Sequence, residues 1–394
     1  MRDQPITLLS NATLIDGSRN QPITSSHVLI EGDRITAVGE KDSFPFPTDI
    51  QQIDLAGKYL LPGMIDMHMH MCAPSVLVGK APFERDEYAA LQAARTLREN
   101  LQAGVTTIRD VGTQHQVSLA LRRAVKEGLV PGARVFACGN AICQTGGHAT
   151  DIEGLGVEAD GPYAVRQAVR EQWKRGADLI KVTLNGGQNV VEYTLEELEA
   201  LVEEAHRLNL RVACHASILP AARQAVQVGV DTIEHGCHLD ENCVREMAEK
   251  DITLVATAAV YEALFKLGQE GKTSPELTRS IEKRLTTHRQ SVQMALQQDV
   301  RIVTGTDMCI PYPTLAPLPD ELETLVAWGL TPMQAIQAAT KNAAEALGQI
   351  DSLGTIEQGK LADLVVLDHD PLQDITAVKH VSRVMQAGKW VALI

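Results

Sequence analysis

The sequence lacks a surplus of basic residues. Its 36 lysines and arginines stand against 50 aspartates and glutamates, which gives a formal net charge of −14 at pH 7. A negative field of this size repels nucleic acids and anionic membranes. We therefore expect no nucleic acid and no membrane as a partner, although the composition allows a local basic pocket.

Paired cysteine motifs and long apolar runs are also missing. The seven cysteines are odd in number and include no Cys-x-x-Cys pair, which argues against a disulfide framework and predicts reduced thiols. No apolar run approaches ~18 residues. The start Met1-Arg2-Asp3-Gln4-Pro5 has no basic patch followed by an apolar stretch, so we expect a cytoplasmic protein with neither an export signal nor a membrane span.

The 394 residues, 44% of them hydrophobic, suffice for one large domain and one small domain. Residues 1–58 alternate short β-rich runs with turns, which predicts antiparallel strands. Residues 59–350 alternate apolar strands with long amphipathic helices, the pattern of a parallel sheet with helical crossovers. Residues 351–394 return to β-rich sequence. We predict an α/β fold: a (β/α)8 TIM barrel with a small β-sandwich domain formed by both chain termini.

Eight apolar segments of the middle region have the length of barrel strands. The first runs from Tyr59 to His70, and the others are Val105 to Asp110, Arg134 to Cys138, Leu179 to Thr183, Arg211 to His215, Thr232 to His235, Thr253 to Ala256 and Arg301 to Thr306. Amphipathic helices are predicted between them, the longest from Glu276 to Gln298. Thr194 followed by Glu197 forms a capping box, which predicts the start of a helix.

The first predicted strand ends in two histidines, His68 and His70. Alternate side chains of a strand share a face, so both imidazoles can bind one metal ion. Two histidines at a strand end can also be merely packed or solvated. The pair by itself is half of a metal site.

Four further residues that can bind a metal lie at the ends of separate strands: Lys181, His215, His235 and Asp307. Catalytic groups of a (β/α)8 barrel lie at the C-terminal strand ends. Each residue alone has a structural explanation, because a lysine can extend to water, a histidine can be a satisfied core residue and Asp307 can cap a turn. Four histidines and a carboxylate around one axis are costly to bury without a metal. Together they predict a metal centre.

Six motifs are spread over almost the whole chain. They are Leu61 to His70, Gly104 to Asp110, Thr145 to His148, Ile233 to Gly236, Gly305 to Asp307 and Gly359 to Leu364. With these motifs the chain resembles the amidohydrolase superfamily, in the branch related to imidazolonepropionase that includes Xaa-Pro dipeptidases and Xaa-Arg carboxypeptidases. Four of the motifs, those ending in His70, His148, Gly236 and Asp307, contain predicted metal or catalytic residues, whereas the last motif only locates the small β domain.

The resemblance implies two divalent metal ions, which we expect to be zinc. One ion would be held by His68, His70 and Asp307, the other by His215 and His235, with a carboxylated Lys181 as the bridging ligand. A carbamate suits a position between two cations better than an ammonium does, because it is an anion with two oxygens. Imidazolonepropionase belongs to the mononuclear type and lacks this lysine, so Lys181 favours the binuclear, peptidase-like branch.

The resemblance also implies catalytic roles. A hydroxide that bridges the two metals would attack the scissile carbonyl, and Asp307 would take a proton and pass it to the leaving nitrogen. His148 follows two glycines after the third strand, and the resemblance places its imidazole over the substrate carbonyl. Departures from the usual family pattern around these loops affect the substrate pocket and not the metal ligands.

Substrate binding rests on weaker signals. No strand end shows a strong cation, and Lys80 and Arg85 follow the first strand. His238 and Tyr261, close to the sixth and seventh strand ends, are candidate ligands for a substrate carboxylate.

The predicted function is the hydrolysis of an amide C–N bond in a dipeptide or an N-acyl amino acid by a binuclear metal centre. Hydrolysis of a cyclic amide, as in imidazolonepropionase, or of a carbamate or an ester is the alternative, because one fold hosts many substrates. A non-catalytic scaffold would have lost metal ligands, and this chain keeps them all. The expected partner is a small-molecule substrate, and a homo-oligomer is compatible with the sequence.

Overall fold

The computed structural model describes residues 5–41, 43–47, 49–74, 85–186, 190–310 and 317–392, with side chains for all of these except residues 72–74 and 309–310. Contacts divide the chain into two compact units. The first comprises Met1–Ile65, Arg98–Thr107 and Leu330–Ile394, and the second comprises Asp66–Leu97 and Ile108–Gly329. The domain boundaries that we place after residues 58 and 350 stay a prediction.

The described residues form the following strands, in chain order. They are β1 (Ile6–Leu14), β2 (Ile23–Glu31), β3 (Arg34–Glu40), β4 (Gln51–Asp54), β5 (Tyr59–Pro62), β6 (Met64–Pro74), β7 (Val105–Asp110), β8 (Arg134–Ala137), β9 (Ala141–Cys143), β10 (Gly156–Glu158), β11 (Leu179–Thr183), β12 (Arg211–Ala216), β13 (Thr232–His235), β14 (Thr253–Val255), β15 (Ile302–Val303), β16 (Met308–Ile310), β17 (Leu364–Leu367), β18 (Val381–Gln386) and β19 (Lys389–Trp390).

The α-helices follow the same order. They are α1 (Asp86–Gln102), α2 (Val117–Lys126), α3 (Pro162–Lys174), α4 (Leu195–Arg207), α5 (Leu219–Val228), α6 (Glu241–Glu249), α7 (Ala258–Gln269), α8 (Pro275–Gln297), α9 (Leu318–Ala327), α10 (Pro332–Ala338) and α11 (Lys341–Ala346). Short 3-10 helices span Gln114–Gln116, His148–Asp151 and Ile375–Lys379. Among the described residues, no helix is both long and apolar enough to cross a membrane.

The first unit contains a sheet in the order β19-β18-β17-β5-β1-β2-β3, with β4 paired to β1. β17 pairs antiparallel with β5, so that Val365 lies opposite Leu61. Alternate apolar side chains such as Leu60 and Val366 belong to its buried core. Strands from both ends of the chain therefore build one small β domain, as predicted.

Parallel strands joined by helices form the rest of the architecture. One sheet has the order β10-β9-β11-β12-β13-β14-β15, and another has the order β16-β6-β7-β8. In the first of these, Thr183 lies opposite His215 and Ala216 lies opposite His235. All of its strand pairs are parallel, so the C-terminal strand ends share one edge. This arrangement agrees with the predicted (β/α)8 barrel.

The predicted first strand, residues 59–70, is two strands in the structure. It breaks at Gly63, between β5 and β6. A Cβ atom at Gly63 would lie 2.2 Å from Thr106 Oγ1, so the close approach of this side chain requires glycine. β5 pairs within the sheet of the terminal domain, whereas β6 carries His68 and His70.

Helix ends largely follow the local sequence. The capping box of Thr194 and Glu197 starts α4, as predicted. Helices α10 and α11 are separated at Thr340, whose backbone (φ −133°, ψ −92°) is not helical. Helix α7 and the short strands β9, β10 and β16 were not predicted, because tertiary contacts decide the structure of such short or uncapped segments.

Candidate active site

The six residues predicted as metal ligands lie at the C-terminal ends of barrel strands. His68 and His70 are on β6, Lys181 on β11, His215 on β12 and His235 at the end of β13, and Asp307 lies between β15 and β16. All except His68 line one cavity of about 250 Å³. The His68 ring is fully buried and its centroid lies 5.2 Å from that of His70. The fold thus brings the six side chains together.

His68, His70 and Asp307 converge on one point, with ligand atoms that all lie within 4.8 Å of one another. Asp307 Oδ1 is 3.3 Å from His68 Nε2 and 3.5 Å from His70 Nε2. His68 Nε2 has no hydrogen-bond partner within the part of the chain that the structure describes. Two imidazole nitrogens and a carboxylate oxygen at these separations fit one divalent cation.

The second ring nitrogen of each histidine is held by an acceptor. His68 Nδ1 lies 2.5 Å from Glu234 Oε2, and His70 Nδ1 lies 2.9 Å from the carbonyl oxygen of Gly112. These acceptors place the proton on Nδ1, so the lone pair of a neutral ring is on Nε2. Two lone pairs directed at the Asp307 carboxylate repel it unless a cation lies between them, which again fits a metal.

Glu234 is buried beside Arg109. Arg109 Nη2 lies 2.7 and 2.8 Å from the two Glu234 carboxylate oxygens, and Arg109 Nε donates to the Met67 carbonyl oxygen over 2.6 Å. Burial raises the pKa of Glu234, but the Arg109 charge and the hydrogen bond from His68 outweigh burial and hold it below its ordinary value. Sequence analysis did not identify this pair, although both residues lie in family motifs.

Asp307 is oriented by the backbone of β6. Its N–H donates to the His68 carbonyl oxygen over 2.8 Å, and the adjacent Thr306 donates from N and Oγ1 to the buried Asp66 carboxylate over 3.1 and 2.6 Å. Burial raises the pKa of Asp307, but the close contacts with the His68 and His70 rings outweigh burial and hold the pKa below its ordinary value. The Asp307 carboxylate is therefore ionised at neutral pH.

His215 and His235 form a second ligand group. His215 Nδ1 lies 3.0 Å from His235 Nε2, and the opposite ring nitrogens contact the hydroxyls of Ser217 (3.2 Å) and Thr257 (2.7 Å). Burial lowers the pKa of both histidines well below the ordinary value, so both rings are neutral. When the outer nitrogens donate to the hydroxyls, the inner nitrogens present two facing lone pairs. A cation is the natural partner of that arrangement.

Three non-glycine residues of the site have a left-handed backbone. The φ angles are 70° at His235, 47° at Thr257 and 51° at Asp307. This conformation is uncommon for any L-residue and rare for a β-branched one. Strained residues of this kind cluster at sites whose geometry is functional, and these three hold or orient the proposed ligands.

Lys181 lines the same cavity as His70, His215 and His235. Its Nζ is buried and has no hydrogen-bond partner among the described residues. Burial lowers its pKa, whereas the charges of Glu234 and Asp307 act in the opposite direction. A buried amine without a hydrogen-bond partner is costly in free energy. The structure therefore leaves the role of the Lys181 amine unexplained unless a further group binds it.

Comparison with known proteins gives the family. A sequence profile described as the amidohydrolase family matches residues 59–391. The chain belongs to the amidohydrolase family. An ochratoxinase from Aspergillus niger is 30% identical over 98% of this chain and 86% of its own length, and an imidazolonepropionase from Shouchella clausii is 23% identical over 94% and 86%.

A solved relative gives the same result for the fold. The crystal structure of an Xaa-Pro dipeptidase with bound methionine in the active site has a TM-score of 0.89 and 31% identity, and covers 98% of this chain and 99% of its own. The predicted family, its imidazolonepropionase-related branch, and the barrel with a small terminal domain are confirmed. This amidohydrolase is a hydrolase, and its His68-His70-Asp307 cluster is a candidate site for a divalent metal.

His148 is half-buried in the wall of the amidohydrolase cavity. Its ring centroid is 4.7 Å from that of His215, and its backbone N–H donates to Glu192 Oε1 over 2.8 Å. Glu192 also accepts from Thr183 Oγ1 over 2.8 Å, which ties the loop to the end of β11. The loop is therefore anchored, and His148 lines the cavity next to a proposed metal ligand. Its contact with a substrate stays a prediction.

The candidate carboxylate ligands have different positions. Tyr261, on α7, lines the cavity, whereas His238 is half-buried and is not part of the described lining. Arg85 is exposed and lies 3.4 Å from Glu87, and Lys80 lies outside the described residues. The cavity wall contains a cation that sequence analysis missed, Arg284 on α8. No motif marks Arg284, because it is one of several charged residues of a long amphipathic helix.

Proposed function

We propose that this amidohydrolase uses two divalent metal ions to cleave the amide C–N bond of a dipeptide or an N-acyl amino acid. The convergence of two ligand groups, His68-His70-Asp307 and His215-His235, beside the buried Lys181 carries the proposal. The solved Xaa-Pro dipeptidase, which has methionine in its active site, supports an amino-acid-like substrate for this chain.

In this proposal the first group holds one ion and the histidine pair holds the other. Zinc suits both groups, since imidazole nitrogens and a carboxylate oxygen are its usual protein ligands. The lowered pKa of Lys181 favours the neutral amine, the form that adds carbon dioxide. The resulting carbamate would supply two anionic oxygens where the structure has a buried amine without a partner.

The ions, when bound, would lower the pKa of a water molecule and polarise the scissile carbonyl. The chain supplies the proton transfer and the orientation. The ionised Asp307 carboxylate lines the cavity and would accept a proton, then deliver it to the leaving nitrogen. His148, beside His215, would donate a hydrogen bond to the substrate carbonyl oxygen.

Hydrolysis of a cyclic amide is the second candidate, with a carbamate or an ester as further substrates of the same chemistry. The 23% identity to an imidazolonepropionase over 94% of this chain favours a cyclic amide. The cavity lining of His148, Tyr261 and Asp307 is compatible with either class.

Metal analysis combined with a substrate panel tests the proposal. The purified protein should contain about two divalent ions per chain, and Lys181 should be carboxylated in an electron-density map. Chelation should abolish hydrolysis of dipeptides and N-acyl amino acids, and zinc should restore it. The Lys181→Arg variant keeps a cation but cannot be carboxylated in the same way, so the variant protein should bind fewer metal ions per chain than the wild type does.

One ion per chain or an unmodified Lys181 in the wild type would contradict the binuclear centre. Activity confined to lactams, carbamates or esters would give the second candidate priority. An ion-containing protein that hydrolyses none of these classes would contradict both.

A further inference from the structure

Glu321 is a buried residue to which the mechanism proposed above gives no role. It lies on α9 and is fully buried. Its two carboxylate oxygens accept hydrogen bonds from the backbone N–H groups of Ala258 and Ala259 over 3.0 and 2.7 Å. No basic side chain among the described residues pairs with Glu321. The carboxylate is therefore directed at the first turn of α7.

Helix α7 differs from other barrel helices in how its first turn is capped. Helices α4, α6 and α8 each follow a residue whose side chain accepts a hydrogen bond from a first-turn N–H group, namely Thr194, Asp240 and Ser274. Thr257, the residue before α7, makes no such bond. Its hydroxyl lies instead 2.7 Å from His235 Nδ1. Glu321 thus supplies, from another helix, the acceptor that Thr257 does not supply.

The backbone of Thr257 shows the same difference. Its φ and ψ angles are 47° and 43°, in the left-handed region that a β-branched residue rarely adopts. Thr194, which caps its own helix, has the usual extended backbone with φ −67° and ψ 159°. The two hydrogen bonds that Glu321 accepts fix the peptide groups directly after Thr257, and so offset the cost of the strained conformation.

The Thr257 hydroxyl in turn acts on the His235 ring. A hydroxyl that accepts a hydrogen bond from Nδ1 keeps the proton of the neutral ring on Nδ1 and leaves a lone pair on Nε2. His235 Nε2 is the nitrogen that lies 3.0 Å from His215 Nδ1. The partner of the outer nitrogen fixes the tautomer and the orientation of a metal-binding histidine. Without this partner, the proton can move to Nε2, the nitrogen that has to bind the ion.

We propose that Glu321 is a positioning residue of the second ligand group. By capping α7 from α9, it leaves the Thr257 hydroxyl available to hold His235 with its Nε2 lone pair towards a metal ion. This inference rests on the proposed metal binding by His215 and His235, and it assigns the residue that supports this binding from behind.

The test follows the His235 ring and the metal affinity in Glu321→Leu, Glu321→Gln, Thr257→Val and the double variant Glu321→Leu/Thr257→Val. NMR of the metal-free, ¹⁵N-histidine-labelled protein shows which ring nitrogen of His235 carries the proton, with His235→Asn to assign the signals. Competition with a chromogenic chelator gives the affinity of each zinc ion. Glu204→Gln is the matched control, because Glu204 is a buried carboxylate that pairs with Arg170 and is not part of the described cavity lining.

The wild type should have the His235 proton on Nδ1. Glu321→Leu and Thr257→Val should each move part of it to Nε2 and weaken the binding of the second zinc ion by about 5-fold. Glu321→Gln keeps one acceptor oxygen, so its loss should be smaller, and it is expected to fold even if Glu321→Leu does not. The double variant should bind the second ion within about 2-fold of either single variant, because both substitutions break the same connection. Glu204→Gln should lower the melting temperature and keep the wild-type tautomer and zinc affinities.

Two results overturn the inference: a wild-type tautomer in both Glu321 variants, and losses of affinity that multiply in the double variant. An equal loss of zinc affinity in Glu204→Gln also overturns it, because lower stability alone would then weaken the ion. If the wild type binds fewer than two ions but Glu321→Leu still moves the His235 proton, positioning by Glu321 is supported and the binuclear centre is contradicted.

Discussion

The two ligand groups of the active site are supported by different chemistry. Behind His68 lies the charged pair of Glu234 and Arg109. Among the residues that the structure describes, the outer ring nitrogens of His215 and His235 contact the neutral hydroxyls of Ser217 and Thr257. Charged hydrogen bonds inside a protein are stronger than neutral ones, and they are also more costly to break on one side. The first group should therefore be the more rigid and the more sensitive to substitution.

The largest effect is expected from Glu234→Gln. The variant leaves the buried Arg109 charge without its counter-ion, which should cost about 3–5 kcal/mol of unfolding free energy. Chemical denaturation of the metal-free protein measures this cost. The double variant Arg109→Met/Glu234→Gln removes both charges and should lose less than the single variant does. If the unfolding free energy of Glu234→Gln lay within ~1 kcal/mol of the wild-type value, the charged pair would contribute no more to stability than a hydrogen bond to a hydroxyl does.

The next effect concerns Asp307, the carboxylate of the first group. Asp307→Asn keeps the shape of the side chain but removes the proton acceptor, so kcat should fall by at least ~100-fold with a smaller change in KM. Asp299→Asn is the control, because Asp299 has a similar left-handed backbone (φ 55°) but is exposed and is not part of the described cavity lining. If Asp307→Asn retained most of the activity, another group would have to act as the base.

A moderate effect is expected from pH on the second group. The pKa values of His215 and His235 are lowered well below 6.5 by burial. Below pH 6.5 the unfolded chain therefore binds protons that the folded chain does not. The unfolding free energy decreases as the pH decreases, by up to about 1.4 kcal/mol per pH unit for each histidine.

His215→Asn should reduce this slope in the metal-free protein, as followed by denaturation between pH 7 and 5. His206→Asn should change the slope in the opposite sense, because the hydrogen bond to Asp231 raises the pKa of His206, and its stabilisation is present at low pH and lost as the pH rises. An unchanged slope in His215→Asn would show that this group does not govern acid stability.

The smallest effect is expected from Thr257→Val. The substitution keeps the branched shape and removes the hydroxyl that contacts His235 Nδ1, so metal affinity should fall about 5-fold, equivalent to ~1 kcal/mol. Competition with a chromogenic chelator measures the affinity. A loss of about 3–5 kcal/mol in metal-binding free energy, as large as the loss of stability expected for Glu234→Gln, would contradict the distinction between the two groups.

Part of the site could be predicted because its signals are local. The alternation of a strand puts His68 and His70 on one face, and the strand ends that carry Lys181, His215 and His235 follow from apolar periodicity. The need for glycine at position 63 could not be predicted in this way, because it depends on the approach of Thr106 from a distant part of the chain.

The sequence by itself determined the class of fold and the family, and it predicted the proposed metal ligands, since motifs and periodicity are written along the chain. Tertiary structure alone decided how those side chains are supported and what else enters the cavity. Arg109 meets Glu234 across 125 positions, and Arg284 reaches the cavity wall from a helix without any motif. Such pairings depend on which helices and strands pack together, and burial then makes a missing partner costly for each charge.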